Sequence, residues 1–446
     1  MPKTTLTLLF GLLALTLAGC GDQATLAEQA GEGPDPTLPP PKETPFPTVN
    51  IAPHKGWPPG GKPKAADGLS VAAYAAGLNH PRWLYVLPNG DVLVAESNTP
   101  KKPDEHFSLR GVAKRVALWI FGAGVPSANR ITLLRDKDGD GIAEERSAFL
   151  SGLNSPFGMA LVGDTLYVAD TDALLRFTYR EGDTKIDAKP EKVADLPAGP
   201  INLHWTRNVI ASPDGKKLYV TVGSNSNAGE QGMENEQNRA AILEIDPAKG
   251  QSPIFASGLR NPNGLAWQPV SGELWTTVNE RDFLGSDLVP DYMTAVKEGG
   301  IYGWPYSYLG QHLDPRLKPQ RPDLVAKAIV PDYALGAHTA SLGLAFYQGK
   351  LLPERFAGGA FIAQHGSWNR RPRSGFKVIF VPFTEGRPSG MPEDILTGFV
   401  DGSGNALGRP AGVAVDRTGG VLIADDVGNA IWRIAPAAAA SATASP

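Results

Sequence analysis

Short runs of alternating apolar and polar residues recur along this chain. Each is broken by a glycine-bearing turn and followed by a second run. The pattern reads "LNHPRWLYVLPNGDVLVAES" from residue 78, "LNSPFGMALVGDTLYVAD" from 153 and "PINLHWTRNVIASPDGKKLYVTVGS" from 200. It returns as "LRNPNGLAWQPVSGELWTTVNE" from 259, in degenerate form as "HTASLGLAFYQGKLLPERFAGGAFIAQHGS" from 338, and as "LGRPAGVAVDRTGGVLIADD" from 407. A period-2 run, a turn containing Gly and a second run predict a β-hairpin. Amphipathic helical stretches are scarce. Hairpins returning about every 40–75 residues, with four strands expected around each, predict an all-β fold, a six-bladed β-propeller over residues 67–436. A seven-bladed ring with one unrecognised repeat is the alternative.

The flanks differ in composition. Residues 1–20, "MPKTTLTLLFGLLALTLAGC", place Lys3 before an apolar run and end in small residues, as a secretory signal does. The run is too short and wrongly flanked for a stable membrane span. "LAGC" resembles a bacterial lipobox. The expectation is a lipoprotein signal peptide with Cys20 lipidated, a plain secretory signal being the blander alternative. Cys20 is the sole cysteine, so no internal disulfide forms. This anchor would hold the protein to a membrane of the bacterial cell envelope, facing the periplasm or the cell exterior. Residues 21–66 are rich in Pro, Gly and charge and predict a disordered tether. Residues 437–446 predict a disordered tail. The formal net charge is −4, with no dense basic block, which speaks against nucleic acid as a partner.

The repeat also places residues. In a propeller, the residue just before each inner strand faces the central mouth. The segments 79–82, 154–157, 203–208, 260–263, 338–341 and 409–411 should therefore converge. They bring His204, Arg260, Asn261 and Arg409 together, with His338 nearby. "QHGSWNRR" at 364–371 adds His365 and Arg370. Several cations and a histidine around one cavity suit a planar anionic ligand, because arginine offers forked donors to carboxylates. Turn chemistry alone accounts for Pro262 and Pro410 but not for the guanidinium groups.

"GLRNPNGLAW" (258–267) followed by "KEGGIYGWPY" (297–306) resembles the quinoprotein soluble glucose/sorbosone dehydrogenases. "VGSNSN", "ENEQNRAAI", "NERDFLGSDLVPDYMT" and "HGSWNR" look most like the sorbosone-dehydrogenase branch. The resemblance spans residues 68–435. It implies a six-bladed propeller holding pyrroloquinoline quinone (PQQ) and Ca2+ at its mouth, with a sugar-like substrate of aldose or sorbosone type. It implies that His204 is the catalytic base and that Arg260 and Asn261 contact the quinone carbonyls. Arg409 would bind a cofactor carboxylate, and Ser155 falls in a cofactor-contacting loop. The loop Glu280–Asp282, with Arg281 between them, would hold the metal through main-chain carbonyls. Two positions depart from the family. Ser224 stands where the glucose-oxidising members orient the histidine with aspartate. The family's cofactor-binding lysine is replaced by "HGSWNRR", with Arg370 as the substitute. A cytochrome or quinone is the expected electron acceptor.

"RDKDGDGIAEER" (135–146) spaces Asp136, Asp138 and Asp140 like the start of an EF-hand, but position twelve is Ser147 and the flanks look like strands. It reads as a second calcium site or as an acidic hairpin turn. Two other function classes compete with the dehydrogenase: a non-catalytic binding module and a calcium-dependent hydrolase of the lactonase kind. The lactonase should show acidic and Asn ligands at the mouth rather than Arg260 and Arg409.

Overall fold

The computed structural model describes residues 21–43, 47–100 and 124–437. Within them, six antiparallel sheets of four or five strands stand around a central channel, forming the predicted six-bladed propeller. The inner strands are Pro81–Val86, Met159–Val162, Val209–Ala211, Pro262–Trp267, Ser341–Phe346 and Pro410–Val415. Second strands such as Val92–Glu96, Leu218–Val222 and Val421–Asp425 are buried at every position, and Thr165–Ala169 at all but Thr165. Each is covered on both faces by neighbouring blades, which is why these strands read as nearly continuous apolar runs. The ring closes by sequence-distant pairing: Leu69–Ala76 supplies the outer strand of the sixth blade, antiparallel to Ala430–Pro436.

The glycine that closes "NPNG", "SPFG" and "ASLG" in several of these repeats has a packing cause. A Cβ on Gly264 would lie 2.6 Å from the carbonyl oxygen of Leu342 in the next blade. One on Gly343 would lie 2.5 Å from that of Ala411, and one on Gly158 only 2.3 Å from the amide nitrogen of Val209. Glycine here lets the inner strands of adjacent blades approach backbone to backbone.

Residues 21–43 and 47–66 correct the expectation of a disordered tether. They form a strap across the loops at one end of the propeller. The Ala24 amide donates to Arg371 O (2.7 Å), that of Lys42 to Leu284 O (2.9 Å) and that of Asn50 to Trp368 O (2.7 Å). Glu32–Gly33 adds a fifth strand beside Tyr333–Ala337, and Lys64–Ala65 adds one beside Glu393–Thr397. Ala52 is fully buried, and Trp57 packs edge-on against Phe399 and Trp432. Polar and Pro-rich composition predicts disorder when a segment has only itself to fold on; here a rigid scaffold supplies the partners. The signal, with Cys20, and residues 438–446 of the tail lie outside the described residues. Among the described residues, no helix is long and apolar enough to cross a membrane.

Candidate active site

Loops from several blades enclose a cavity of about 140 Å3 at the strap-bearing end of the channel. His204 and Arg260 line it as expected. So do Asn279, Glu280, Asp282, Asp291, His338, Trp368 and Asn369.

His204 is positioned from the third blade. Its Nδ1 lies 2.7 Å from Ser224 O and 3.1 Å from Ser224 Oγ. The Ser224 hydroxyl donates to Ser226 O (2.6 Å), leaving its oxygen to accept. Both partners therefore take a proton from Nδ1, so the neutral ring carries its hydrogen there and Nε2 keeps a lone pair. Burial, and then the Arg260 guanidinium, push the pKa of His204 down to about 3. The ring is neutral at physiological pH. Gly223 makes this packing possible, since a Cβ there would meet Asn261 Oδ1 at 2.3 Å and His204 Cβ at 2.5 Å. Asn261 is thus brought against His204, with its Oδ1 buried and unpartnered.

Arg260 is fastened more tightly than its sequence role suggests. Nε donates to Asn227 O (3.0 Å) and Nη2 to Asn227 Oδ1 (2.9 Å). Nη1 donates to Asn279 O (3.1 Å) and Glu280 O (2.6 Å), and Asp282 lies 3.6 Å from Nη2. The guanidinium is a fixed positive wall of the cavity rather than a free fork. Asp282 also receives Asn369 Nδ2 (2.7 Å) and stands 3.6 Å from His338 Nδ1. Burial opposes its ionisation, but His338, Arg260 and Asn369 hold its carboxyl below the ordinary value. Burial raises neighbouring Asp291 to about 7, against the bonds it receives from Glu280 N and Ser341 N.

Arg409 adjoins this cavity behind Gly366. Nη1 donates to Gly366 O (3.3 Å) and His365 O (3.2 Å), and the guanidinium lies over the Phe376 ring at 4.6 Å. Its Nε and Nη2 are buried without any acceptor. Burial lowers its pKa to about 10, so it remains a cation. His365 turns away to Asp426, which accepts its Nε2 at 2.9 Å and also binds Arg82.

Several predicted residues lie elsewhere. Arg370 does not reach the cavity: its Nη1 donates to Pro372 O (2.9 Å) and its Nη2 to Asp287 (3.3 Å), beneath the strap. The side chain of Arg281 is wholly buried between Glu280 (2.9 Å), Asp314 (3.1 Å) and the carbonyls of Pro305 and Ser307, so it can face a metal only through its main chain. Asp282 O already accepts from Asn227 Nδ2 (3.0 Å) and Arg316 Nη1 (2.7 Å), which occupies both lone pairs. Ser155 is buried at φ 49° with its amide on Asn129 Oδ1 (3.0 Å), and it does not line the cavity. Asp136, Asp138 and Asp140 come together in the turn between two strands of the first blade, with Glu144 as the fourth carboxylate. Ser147, the mismatch at position twelve of the EF-hand spacing, donates instead to Thr184 O (2.7 Å). The residues missed by sequence reasoning are Asn227, Asn279, Asp291, Trp368 and Asn369. "VGSNSN", "NERDFLGSDLVPDYMT" and "HGSWNR" already held all five within motifs.

A family model described as a domain of unknown function (DUF7133) matches residues 70–367, and one described as TrAA12-like matches residues 323–437. An uncharacterized protein of Borreliella burgdorferi is 28% identical over 292 residues, covering 63% of this chain and 76% of its own. A pyrroloquinoline quinone-dependent sugar dehydrogenase of Hypocrea jecorina is 23% identical over 274 residues, covering 55% and 57%. The structure of the holo PQQ domain of pyranose dehydrogenase from Coprinopsis cinerea aligns with a TM-score of 0.68 at 19% identity, covering 87% of this chain and 100% of that one. This likeness establishes the shared fold.

Proposed function

The chain belongs to the DUF7133 family, and we propose that it is a quinoprotein dehydrogenase that oxidises a sugar-like substrate of aldose or sorbosone type. The observation that carries this reading is the buried, unpartnered guanidinium edge of Arg409 beside the cavity that presents His204. Two orphaned charged donors call for an anion with paired oxygens. PQQ, a planar tricarboxylate, fits that demand, and the named relatives support it. When bound, it supplies the hydride acceptor.

The chain's own residues do the rest. Nε2 of His204 takes the hydroxyl proton as the substrate carbon gives up its hydrogen. Ser224 holds the ring in the tautomer that can do so. Arg260, fixed by Asn227, Asn279 and Glu280, stabilises negative charge developing on oxygen without having to move. Arg409 binds a cofactor carboxylate, and Asn261, packed against His204 with an unpartnered Oδ1, is the proposed second contact to the quinone carbonyls. For calcium, the available oxygens on this wall are the Asp282 carboxylate and Glu280 O, which keeps one lone pair after accepting from Arg260. The turn at Asp136, Asp138, Asp140 and Glu144 is proposed as a second, structural calcium position. Lipidation of Cys20, a place in the bacterial cell envelope and a cytochrome or quinone acceptor complete the proposal.

The hydrolase reading meets part of its requirement, since Glu280, Asp282, Asn279 and Asn369 line the mouth, but Arg260 on the cavity wall and Arg409 beside it are cations it does not call for. The test is to add PQQ and Ca2+ to purified apoprotein and follow both the quinone spectrum and dye reduction with a panel of aldoses. Spectral change with turnover is expected. Absence of both would overturn the proposal in favour of a binding module.

A further inference from the structure

Asp282 and Phe283 are consecutive, yet they serve different spaces. Asp282 lines the cavity; Phe283, at φ 70°, turns outward and leaves 41% of its surface exposed. A bulky residue in the left-handed region is strained and persists only where its surroundings over-determine it. They do so here. Asp282 N donates to Asn227 Oδ1 (2.8 Å), Asp282 O is held by Asn227 and Arg316, and Leu284 is buried with its carbonyl on Lys42 N of the strap (2.9 Å). The fold thus spends backbone strain on holding an aromatic ring in solvent. That ring stands edge-on to Trp368, centroid to centroid 5.7 Å at 88°, and Trp368 lines the cavity. Beyond Phe283 lies an open groove of about 380 Å3, bordered by Asn227 and Glu230 of the third blade and by Arg316 and Leu317 of the fourth. Asn227 stands between the two compartments: it fastens Arg260, which lines the cavity, and itself lines the groove.

We infer that this groove is a second saccharide subsite, taking a glycosyl unit linked to the sugar whose reducing end occupies the cavity. The inference rests on the sugar-oxidising reading above. A pyranose ring has an apolar C–H face and a rim of hydroxyls. The exposed Phe283 ring offers a surface to the first, rigid and low in conformational entropy, while the Glu230 carboxylate and Arg316 guanidinium offer hydrogen-bond partners to the second. The contact between Phe283, on the groove, and Trp368, on the cavity, sets the order of units: the reacting end inside, the next unit outside.

The test needs no cofactor. Titration calorimetry on apoprotein compares glucose with cellobiose and maltose. At least one disaccharide should bind about tenfold more tightly than glucose, the equivalent of one stacking contact. Phe283→Gly, which relieves the left-handed φ and so preserves folding, should erase that difference while leaving glucose affinity unchanged. In the PQQ-loaded protein the same variant should raise KM for the disaccharide without lowering kcat. Equal affinities for all three sugars in the wild type, or a preference that survives Phe283→Gly, would overturn the subsite. Loss of turnover with every sugar in the loaded wild type would instead overturn the oxidative function, and the apoprotein titration would still decide whether the groove binds sugar.

Discussion

Nδ1 of His204 lies 2.7 Å from the main-chain oxygen of Ser224. A main-chain acceptor fixes the tautomer and favours the imidazolium less than a carboxylate would. With burial and Arg260 both opposing protonation, the pKa is depressed to about 3. The base should therefore stay competent in weak acid. The expected kcat/KM profile shows no inflection near 6.5 and keeps its His204 limb well below pH 5. The sign for stability runs the other way. Between pH 3 and 6.5 the unfolded chain binds a proton at this residue and the folded chain does not, so this group's contribution to stability falls as pH falls through that window. His204→Ala should lower kcat by about 10²–10⁴-fold while PQQ still binds. Full turnover in that variant would refute the proposed chemistry.

Arg409→Met separates ligand binding from folding. The native guanidinium leaves Nε and Nη2 buried without acceptors. Removing a charge-assisted contact should weaken PQQ by about 1.5–3 kcal/mol, roughly 10–100-fold. The apoprotein should lose little stability, because the desolvated orphan donors go with the side chain. Cofactor titration and apoprotein melting together check this; unchanged PQQ affinity would remove Arg409 from the site.

The glycines of the repeat should behave as spacers. Gly264→Ala places a Cβ 2.6 Å from Leu342 O and 2.7 Å from Leu344 Cβ, which should cost about 1–3 kcal/mol in chemical denaturation. Gly402→Ala, where a Cβ meets nothing within 4 Å, should stay within about 0.5 kcal/mol of wild type.

The strap predicts long-range stability effects from its first described residues. Asp22 Oδ2 accepts the buried Ser286 amide at 2.8 Å, and Oδ1 is paired with Lys42. Asp22→Ala should cost about 1–3 kcal/mol, chiefly by orphaning Ser286 N–H, and Asp22→Asn less because its amide oxygen still accepts. No measurable change from Asp22→Ala would mean that the strap does not dock in solution.

The propeller was legible because its two signals are local: hairpin periodicity, and a Gly in four of the six repeats where inner strands touch. His204 and Arg260 were placed by that same register. What stayed hidden depends on partners far along the chain. Nothing near Arg370 shows that it will pair with Asp287 rather than enter the cavity, and nothing near Asp22 shows its bond to Ser286, 264 residues away. Arg281 sits in a loop that borders the cavity, but the loop's orientation gives its side chain to Asp314 and its neighbour Asp282 to the cavity. Composition misread residues 21–43 and 47–66 for the same reason: their order comes from the blades they pack against.

The docked strap changes the geometry of anchoring. A free coil from Cys20 to residue 66 would let the propeller wander about 35–40 Å from a bilayer, in any orientation. With Asp22 pinned beside Ser286, on the loop that carries Asp282, a lipid on Cys20 has a leash of two residues, about 7 Å. On the proposed anchor, the channel mouth would therefore face the lipid headgroups at close range. Electrons leaving the site would then have a short path to carriers diffusing in the plane of the membrane, while bulky soluble partners would be shielded from it.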